Sequence, residues 1–542
     1  MIDGHALVAG CLKELGVTHA YGVSGTPIRE TLAACLKAGI RQIGVRNQQA
    51  GVMMATAQNY VMGRLTAVSL ASAGPAITNT VTSILVAWDN CWPVIVLGGR
   101  RPLSMRGMGS FQELDAVPIV QSITKWSAVV ESTADIPACL ERAFSMATSG
   151  RPGPVYLDLP EDVLTDVVRS YRLPRLRTTA CPLPDKEGVA RAARILLEAK
   201  RPALIIGKGI RWSEPYEELT RLVNDWGIPF ITSPMGRGYL PDDHPLYFND
   251  ARGLLQSKAD AVLVVGARLD WTFRFGTEFA RDAQIIQIDI HEPEIGVNIA
   301  HAVGLVGDAR EILRQLVSCL ATAGHAQNRE ALSSWHLALR ESRAKKQDSL
   351  NTLTVSNSIP MSPYRMLKEI RDFLPRDAIC AVDGSVCMAA AQQVLPSYLP
   401  ASRFTAGTNG CLGVGIPFGI GAKLAHPNRL VMTICGDTAF AFNGMDMETA
   451  VRHNVPVIIV VVNNEGHSGA ITQKAYYPAD AERVTMFQPD SRYEAIMRAF
   501  GGYGDFVETP DQLRPALERA ARSGMPACIN VKVDPNAPHP HD

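Results

Sequence analysis

Residues 430–466 read LVMTICGDTAFAFNGMDMETAVRHNVPVIIVVVNNEG, and this stretch decides the fold. The apolar run Leu430–Cys435 ends in Gly436-Asp437-Thr438, a helical stretch follows, and the run VPVIIVVV ends in Asn463-Asn464-Glu465-Gly466. Short continuous apolar runs of this kind are the pattern of strands buried on both faces of a parallel sheet. Asp437 and Asn464 stand 27 positions apart, about the length of one right-handed βαβ crossover. Both therefore fall at the carboxyl ends of neighbouring parallel strands, where open α/β sheets bind ligands. A carboxylate, an amide oxygen and the Gly466 carbonyl suit a hard cation such as Mg²⁺, which takes oxygen ligands and shares them with phosphate groups. Gly436 and Gly466 admit close backbone approach, and a helix opening near Thr438 points its N-terminus at an anion. Either dipeptide alone is a common strand-end turn. The pair at this spacing, each behind a buried-type strand, points to a metal and phosphate site.

Outward from this stretch, short apolar runs alternate with amphipathic ones along the whole chain, the signature of βαβ units on parallel sheets. Strands are expected at Ala20–Val23, Leu65–Leu70, Pro93–Leu97 and Val155–Leu159, then at Ala203–Ile206, Ala261–Val265 and Ile285–Ile290, then at Ala378–Val382, Leu430–Cys435 and Pro456–Val462. Two stretches break the pattern. RSYRLPRLRTTACPLPDK (169–186) is too rich in Pro for a core element, and Gly324–Pro363 is polar and ends in SNSIPMSP. Read as linkers, they predict an α/β protein of three parallel-sheet domains, 1–170, 185–325 and 360–537. No short-period repeat is visible.

Lys+Arg and Asp+Glu both total 53 in the 542 residues, so no global field recruits nucleic acid or an anionic membrane. The longest apolar run, Val455–Val462, is far short of the ~20 residues of a membrane helix. MIDGHALVAGCLKELG lacks a basic stretch followed by an apolar one, so no secretory signal is expected. Eleven cysteines include no C-x-x-C pair and read as reduced, mostly buried thiols of a cytoplasmic protein.

GDT, then NN 27 positions on, resembles the fingerprint of the thiamine diphosphate enzyme superfamily, whose usual form is GDG and NN. The surrounding text is most similar to its oxalyl-CoA decarboxylase and 2-hydroxyacyl-CoA lyase branch. YGVSGTPI (21–28) and SAGPAITN (72–79) resemble the pyrimidine-binding domain; IGKG (206–209), GARLDW (266–271) and IQIDI (286–290) the central nucleotide-binding-like domain; GTNGCLGVG (407–415) and CINVKVDP (528–535) the diphosphate-binding domain. The resemblance implies a homodimer or homotetramer with thiamine diphosphate between subunits. It implies that Asp437, Asn464 and the Gly466 carbonyl hold Mg²⁺, and that Thr438, Ala439, Gly469, Val386, Cys387 and Met388 face the diphosphate. Cys411, Leu412 and Gly413 would support the aminopyrimidine, with Leu412 as the wedge that bends the cofactor, and Pro75 of the partner subunit would touch the pyrimidine. GDT replaces the usual GDG or GDS, and Val386 stands where the branch more often has Asn.

One departure is chemical. The family's R-H-E-Q is here Arg46-Asn47-Gln48-Gln49, so Gln48 replaces the Glu that protonates the pyrimidine ring. A carboxylic acid gives and retakes a proton, whereas an amide only hydrogen-bonds. Such proton steps are typically worth about 10²–10⁴-fold. Three readings follow: a reaction not limited by that step, a site kept aprotic to protect an intermediate, or a non-catalytic paralogue. GSFQEL (109–114) resembles the lyase loop that lies over the cofactor, with Phe111 packing on substrate and Gln112 binding an oxyanion. A plain surface loop is the competing reading.

His467 and Ser468 replace the branch's usual Ile and Tyr. Histidine titrates near neutrality, so His467 is either a general acid or a loop residue that caps backbone groups. Arg151, Lys208, Arg268 and Asp289 resemble positions that bind ADP, with FAD or a CoA nucleotide as competitors and scattered surface ion pairs as the plain alternative. The expected activity is a Mg²⁺- and thiamine diphosphate-dependent carbon–carbon lyase or ligase, 2-hydroxyacyl-CoA lyase-like or acyl-CoA decarboxylase-like. An acetolactate synthase-like carboligation of 2-oxo acids and a non-catalytic cofactor-binding paralogue are the alternatives.

Overall fold

The computed structural model describes residues 1–176, 185–323 and 329–537. Parts of both expected linkers, 177–184 and 324–328, lie outside the described residues. Three parallel sheets form. The first runs Arg41–Gly44, His19–Gly22, Ala67–Ala71, Val94–Arg100, Pro154–Pro160 and Trp126–Val129. The second runs Phe230–Thr232, Pro202–Ile206, Ala261–Val265, Gln284–Asp289 and Val303–Val306. The third runs Arg403–Phe404, Ile379–Asp383, Val431–Gly436, Ile458–Asn463, Ala527–Lys532 and Tyr503–Val507. The ten expected strands are all present, Ala261–Val265 with the same bounds and the others with ends shifted by at most three residues.

Numbered within each unit, the first and third sheets share one strand order, 2-1-3-4-6-5, and the second follows 2-1-3-4-5. In each sheet the order reverses between strands 1 and 3, the position beyond whose carboxyl ends open α/β sheets bind ligands. In the third sheet those strands end at Asp383 and Gly436, and in the second at Ile206 and Val265. The Gly-Asp and Gly-Lys turns therefore sit where this topology places ligands.

The first and third units share a core. Helix Gln48–Met62 is buried on nearly every side and packs on helix Gly415–Ala425. The approach is closest at Gly421, where a Cβ would lie 2.3 Å from the Met54 carbonyl oxygen. Tyr60 stacks on Trp92 with ring centroids 4.2 Å apart, and Phe404 and Phe418 close the cluster. Because both helices are buried on nearly every side, neither shows a one-sided stripe.

The linker reading of Gly324–Pro363 is corrected. Arg329–Thr354 is a single helix whose Leu332, Trp335 and Leu339 pack on the second unit. Trp335 is 4% exposed, and its Nε1–H donates to the Pro202 carbonyl at 3.1 Å. Three apolar residues at i, i+3 and i+7 make a stripe too narrow to stand out in a polar segment. Trp335→Ala should cost about 3–5 kcal/mol, read as a fall in the urea midpoint; an unchanged midpoint would refute the packing. All ten described cysteines are free thiols, and no described helix is long and apolar enough to cross a membrane.

Candidate active site

Strands Val431–Gly436 and Ile458–Asn463 pair in parallel, with Gly436 opposite Val462, so Asp437 and Asn464 leave adjacent strand ends. Asp437 is 1% exposed. Its Oδ1 accepts the Thr438 N–H at 2.7 Å and its Oδ2 accepts the Gly466 N–H at 3.1 Å. Burial pushes this carboxyl up to about 6, while the N–H groups of Thr438 and Gly466 pull the other way. The Asn464 amide reaches the Gly466 carbonyl at 2.8 Å and Asp437 Oδ1 at 3.3 Å, to which its nitrogen donates, while its oxygen accepts the Gly469 N–H at 3.2 Å.

A bound cation would instead take the amide oxygen turned inward: an octahedron of ~2.0–2.1 Å Mg–O bonds has edges of about 2.9 Å, near the 2.8 Å between the Asn464 amide and the Gly466 carbonyl. Thr438 Oγ1 is buried beside this set without a protein partner. The donor set fits a hard divalent cation that shares its remaining positions with a phosphate ligand.

Around these oxygens the chain takes unusual turns. Gly384, at φ 95°, carries the strand ending at Asp383 into helix Ser385–Val394, whose first turn holds Val386, Cys387 and Met388. Asp383 is 1% exposed and accepts the Gly415 N–H at 2.8 Å, while its Oδ1 has no protein partner. Glu465 and Ser468 both hold positive φ, at 60° and 62°. Non-glycine strain of this kind collects at functional sites.

A cavity of about 600 Å³ connects this region to the second unit. Its lining includes Arg151 of the first unit, Lys208, Arg268 and Asp289 of the second, and Met388, Leu412 and His467 of the third. Thus the structure brings the four nucleotide-type residues together, along with residues beside the oxygen cluster. It adds three residues that the sequence did not single out: Asp89, Cys91 and Glu294. Glu294 Oε2 lies 3.2 Å from Arg151 Nη1 and 3.5 Å from Arg268 Nε. Arg151 Nε and Arg268 Nη2 donate to Cys91 Sγ at 3.0 and 3.2 Å. Burial raises the Cys91 thiol against the pull of Arg268 and Lys208. Asp289 accepts the His291 N–H at 2.9 Å, and burial pushes its carboxyl up to about 6.

Gln48, Pro75, Phe111 and Gln112 do not line this cavity. Gln48 opens helix Gln48–Met62, with Asn47 as its cap: Asn47 Oδ1 accepts the Gln49 N–H at 3.0 Å. Gln48 Oε1 accepts from Asn79 Nδ2 at 3.1 Å, one turn beyond the exposed Pro75. Gly74, at φ 61°, lies so close to Gln112 that a Cβ would be 2.8 Å from its carbonyl oxygen. These residues therefore form a second cluster on the first unit, and Phe111, 75% exposed, stands out from it.

Glu113 ties the loop that carries Phe111 and Gln112. Its carboxylate accepts the N–H groups of Gly107, Gly109 (2.9 Å) and Ser110 (3.1 Å), which hold it below the ordinary range. Glu113→Ala should release the loop, read as faster proteolytic cleavage within 101–114 at unchanged melting temperature. An unchanged cleavage rate would contradict this anchoring.

The comparisons agree with this architecture. Residues 2–119 match "Thiamine pyrophosphate enzyme, N-terminal TPP binding domain", residues 189–316 its central domain and residues 383–531 its C-terminal TPP binding domain. The human "2-hydroxyacyl-CoA lyase 1" is 34% identical over 553 residues, covering 99% of this chain and 95% of the relative. The "Oxalyl-CoA decarboxylase" of Escherichia coli is 32% identical, covering 99% and 96%. The "Acetolactate synthase large subunit IlvG" of Mycobacterium tuberculosis is 34% identical, covering 98% and 96%. With three parallel sheets in this topology and these matches along its length, the chain belongs to the thiamine pyrophosphate enzyme family and is a thiamine diphosphate-dependent enzyme.

Proposed function

We propose that the protein breaks, and in reverse makes, the C1–C2 bond of a 2-hydroxyacyl-CoA, yielding an aldehyde and formyl-CoA. The observation that carries this reading is a cavity whose lining joins the cations Arg151, Lys208 and Arg268 to Leu412 and His467. A substrate with a nucleoside diphosphate at one end and a reacting acyl group at the other matches that layout. The same cations suit free ADP as a separate ligand, and FAD is the less favoured occupant.

Asp437, Asn464 and the Gly466 carbonyl hold Mg²⁺ in this account. Thr438, Ala439, Gly469, Val386, Cys387 and Met388 face the cofactor's diphosphate, and Cys411, Leu412 and Gly413 support its pyrimidine. Thiamine diphosphate supplies the electron sink for the pair released when the bond breaks; the protein supplies orientation and electrostatics. His467, exposed to the cavity, exchanges a proton with the substrate oxygen, and Ser468 holds the turn beside it. Gln48, Pro75, Phe111 and Gln112 complete the site from a second copy, in a homodimer or homotetramer. The exposed Met108, Phe111, Phe442 and Met445 are apolar surface suited to that contact. Free thiols suit the cytoplasm.

Arg268→Ala tests the cationic lining. The KM for an acyl-CoA should rise about tenfold or more, the loss typical of a partly buried charge-assisted contact, with kcat little changed. An unchanged KM would move the CoA nucleotide elsewhere.

A further inference from the structure

Asp89 lies in the last turn of helix Val81–Asn90, and its carboxylate faces two other units of the chain at once. Oδ1 is 3.4 Å from Arg268 Nη1, in the cavity wall of the second unit. Oδ2 accepts three donors from the third unit: the Thr408 N–H at 3.1 Å, the Thr408 hydroxyl at 2.6 Å and the Asn409 N–H at 3.2 Å. The adjoining residues repeat the pattern. Lys208 Nζ donates to the Asp89 carbonyl at 3.1 Å and to Asn90 Oδ1 at 3.0 Å, and Asn90 Nδ2 donates to the Ala406 carbonyl at 3.1 Å. The loop held in this way, Gly407–Gly410, runs directly into Cys411-Leu412-Gly413.

Arg268 is a divided cation. It faces Asp89 at 3.4 Å, Glu294 at 3.5 Å and Cys91 Sγ at 3.2 Å. The two carboxylate contacts are long, beyond the ~2.7–2.9 Å of a committed charge-assisted bond. A diphosphate entering the cavity competes for this guanidinium on favourable terms.

We propose that Asp89 is the positioning residue for the Thr408–Leu412 loop and makes that loop responsive to a nucleoside diphosphate in the cavity. The proposal rests on the nucleotide reading of the cationic lining given above. In one state Asp89 shares its charge between Arg268 and the loop donors. In the other, Arg268 has turned to the diphosphate, and the Asp89 carboxylate acts on Thr408 and Asn409 alone. Those bonds then strengthen, the loop is held more firmly, and Leu412 is fixed at the cofactor end. Nucleotide therefore tightens thiamine diphosphate binding, and thiamine diphosphate tightens nucleotide binding by the same factor.

Titration calorimetry on the full chain tests this, with thiamine diphosphate and Mg²⁺ added in the absence and presence of saturating ADP, and with CoA in place of ADP in a second arm. In the wild type, nucleotide should lower the thiamine diphosphate Kd by about five- to tenfold. Asp89→Asn should bind thiamine diphosphate more weakly in both conditions and bring the ratio to about one. A purely structural role would weaken both measurements alike and leave the ratio as it was. Thr408→Val keeps the Asp89–Arg268 contact and removes one loop donor, so its ratio should fall between the two; it carries the test if Asp89→Asn does not fold. A ratio of one in the wild type with both ligands bound overturns the coupling, as does an undiminished ratio in a folded Asp89→Asn protein. Failure of both ADP and CoA to bind is a different result: it rejects the nucleotide reading and this proposal with it. Coupling with ADP but not CoA identifies a separate effector, and coupling with CoA identifies the substrate's own nucleotide.

Discussion

Asp437→Ala abolishes Mg²⁺-dependent binding of thiamine diphosphate while the chain stays folded. The carboxylate is the one anionic member of the oxygen cluster it forms with Asn464 and the Gly466 carbonyl. Without it, two neutral oxygens remain, too weak a set to hold a divalent cation against water. The loss should exceed the ~100-fold typical of removing a group that merely orients a metal ligand. Stability should change little, because two opposing effects nearly offset. Burial disfavours the Asp437 carboxylate, pushing it up to about 6, while its bonds to the Thr438 and Gly466 N–H groups favour it. Calorimetry with thiamine diphosphate and Mg²⁺, beside a thermal melt, checks both halves. Retained tight binding in a folded variant would place the metal elsewhere.

Gln48→Glu accelerates exchange of the C2 proton of bound thiamine diphosphate by about 10²–10⁴-fold, the usual worth of a positioned acid–base group. The position tolerates the change. Gln48 is the first residue of a long helix, where a carboxylate is favoured by the free N–H groups of the first turn. Glutamate also keeps an oxygen for Asn79 Nδ2, now 3.1 Å from Gln48 Oε1. Quenched-flow NMR in D₂O reads the exchange rate. Equal rates in the two proteins would remove Gln48 from the pyrimidine end and leave the missing proton relay without a structural seat.

The fold was legible where one element carries its own signal. Val431–Gly436 and Ile458–Asn463 are uninterrupted apolar runs with a chemical residue at the end, so strand, direction and site followed together. Arg403–Phe404 is two residues long, too short to form a pattern. The shared 2-1-3-4-6-5 order of the first and third sheets was invisible because strand order depends on pairing, not on any local repeat. The candidate site divides in the same way. Asp437 and Asn464 announce themselves through adjacent strand ends, and Lys208 and Arg268 through glycine turns after strands. Asp89, Cys91 and Glu294 gave no such notice. Their role exists only because positions 89, 268, 294 and 408 meet in space, and each is unremarkable among its sequence neighbours. The helix Arg329–Thr354 reads as a linker in the sequence because its buried stripe is thin and its other faces are polar and charged.

The central claim is the reaction itself. The direct measurement is a mass-balanced turnover assay of the protein with thiamine diphosphate and Mg²⁺, given a 2-hydroxyacyl-CoA, oxalyl-CoA or pyruvate in parallel. The account predicts that the 2-hydroxyacyl-CoA disappears with aldehyde and formyl-CoA formed in equal amounts, and that the Asp437→Ala protein forms neither. Intact CoA thioesters beside consumed pyruvate would contradict it in favour of 2-oxo acid carboligation, and no turnover of any donor by cofactor-loaded protein would contradict it in favour of a non-catalytic paralogue.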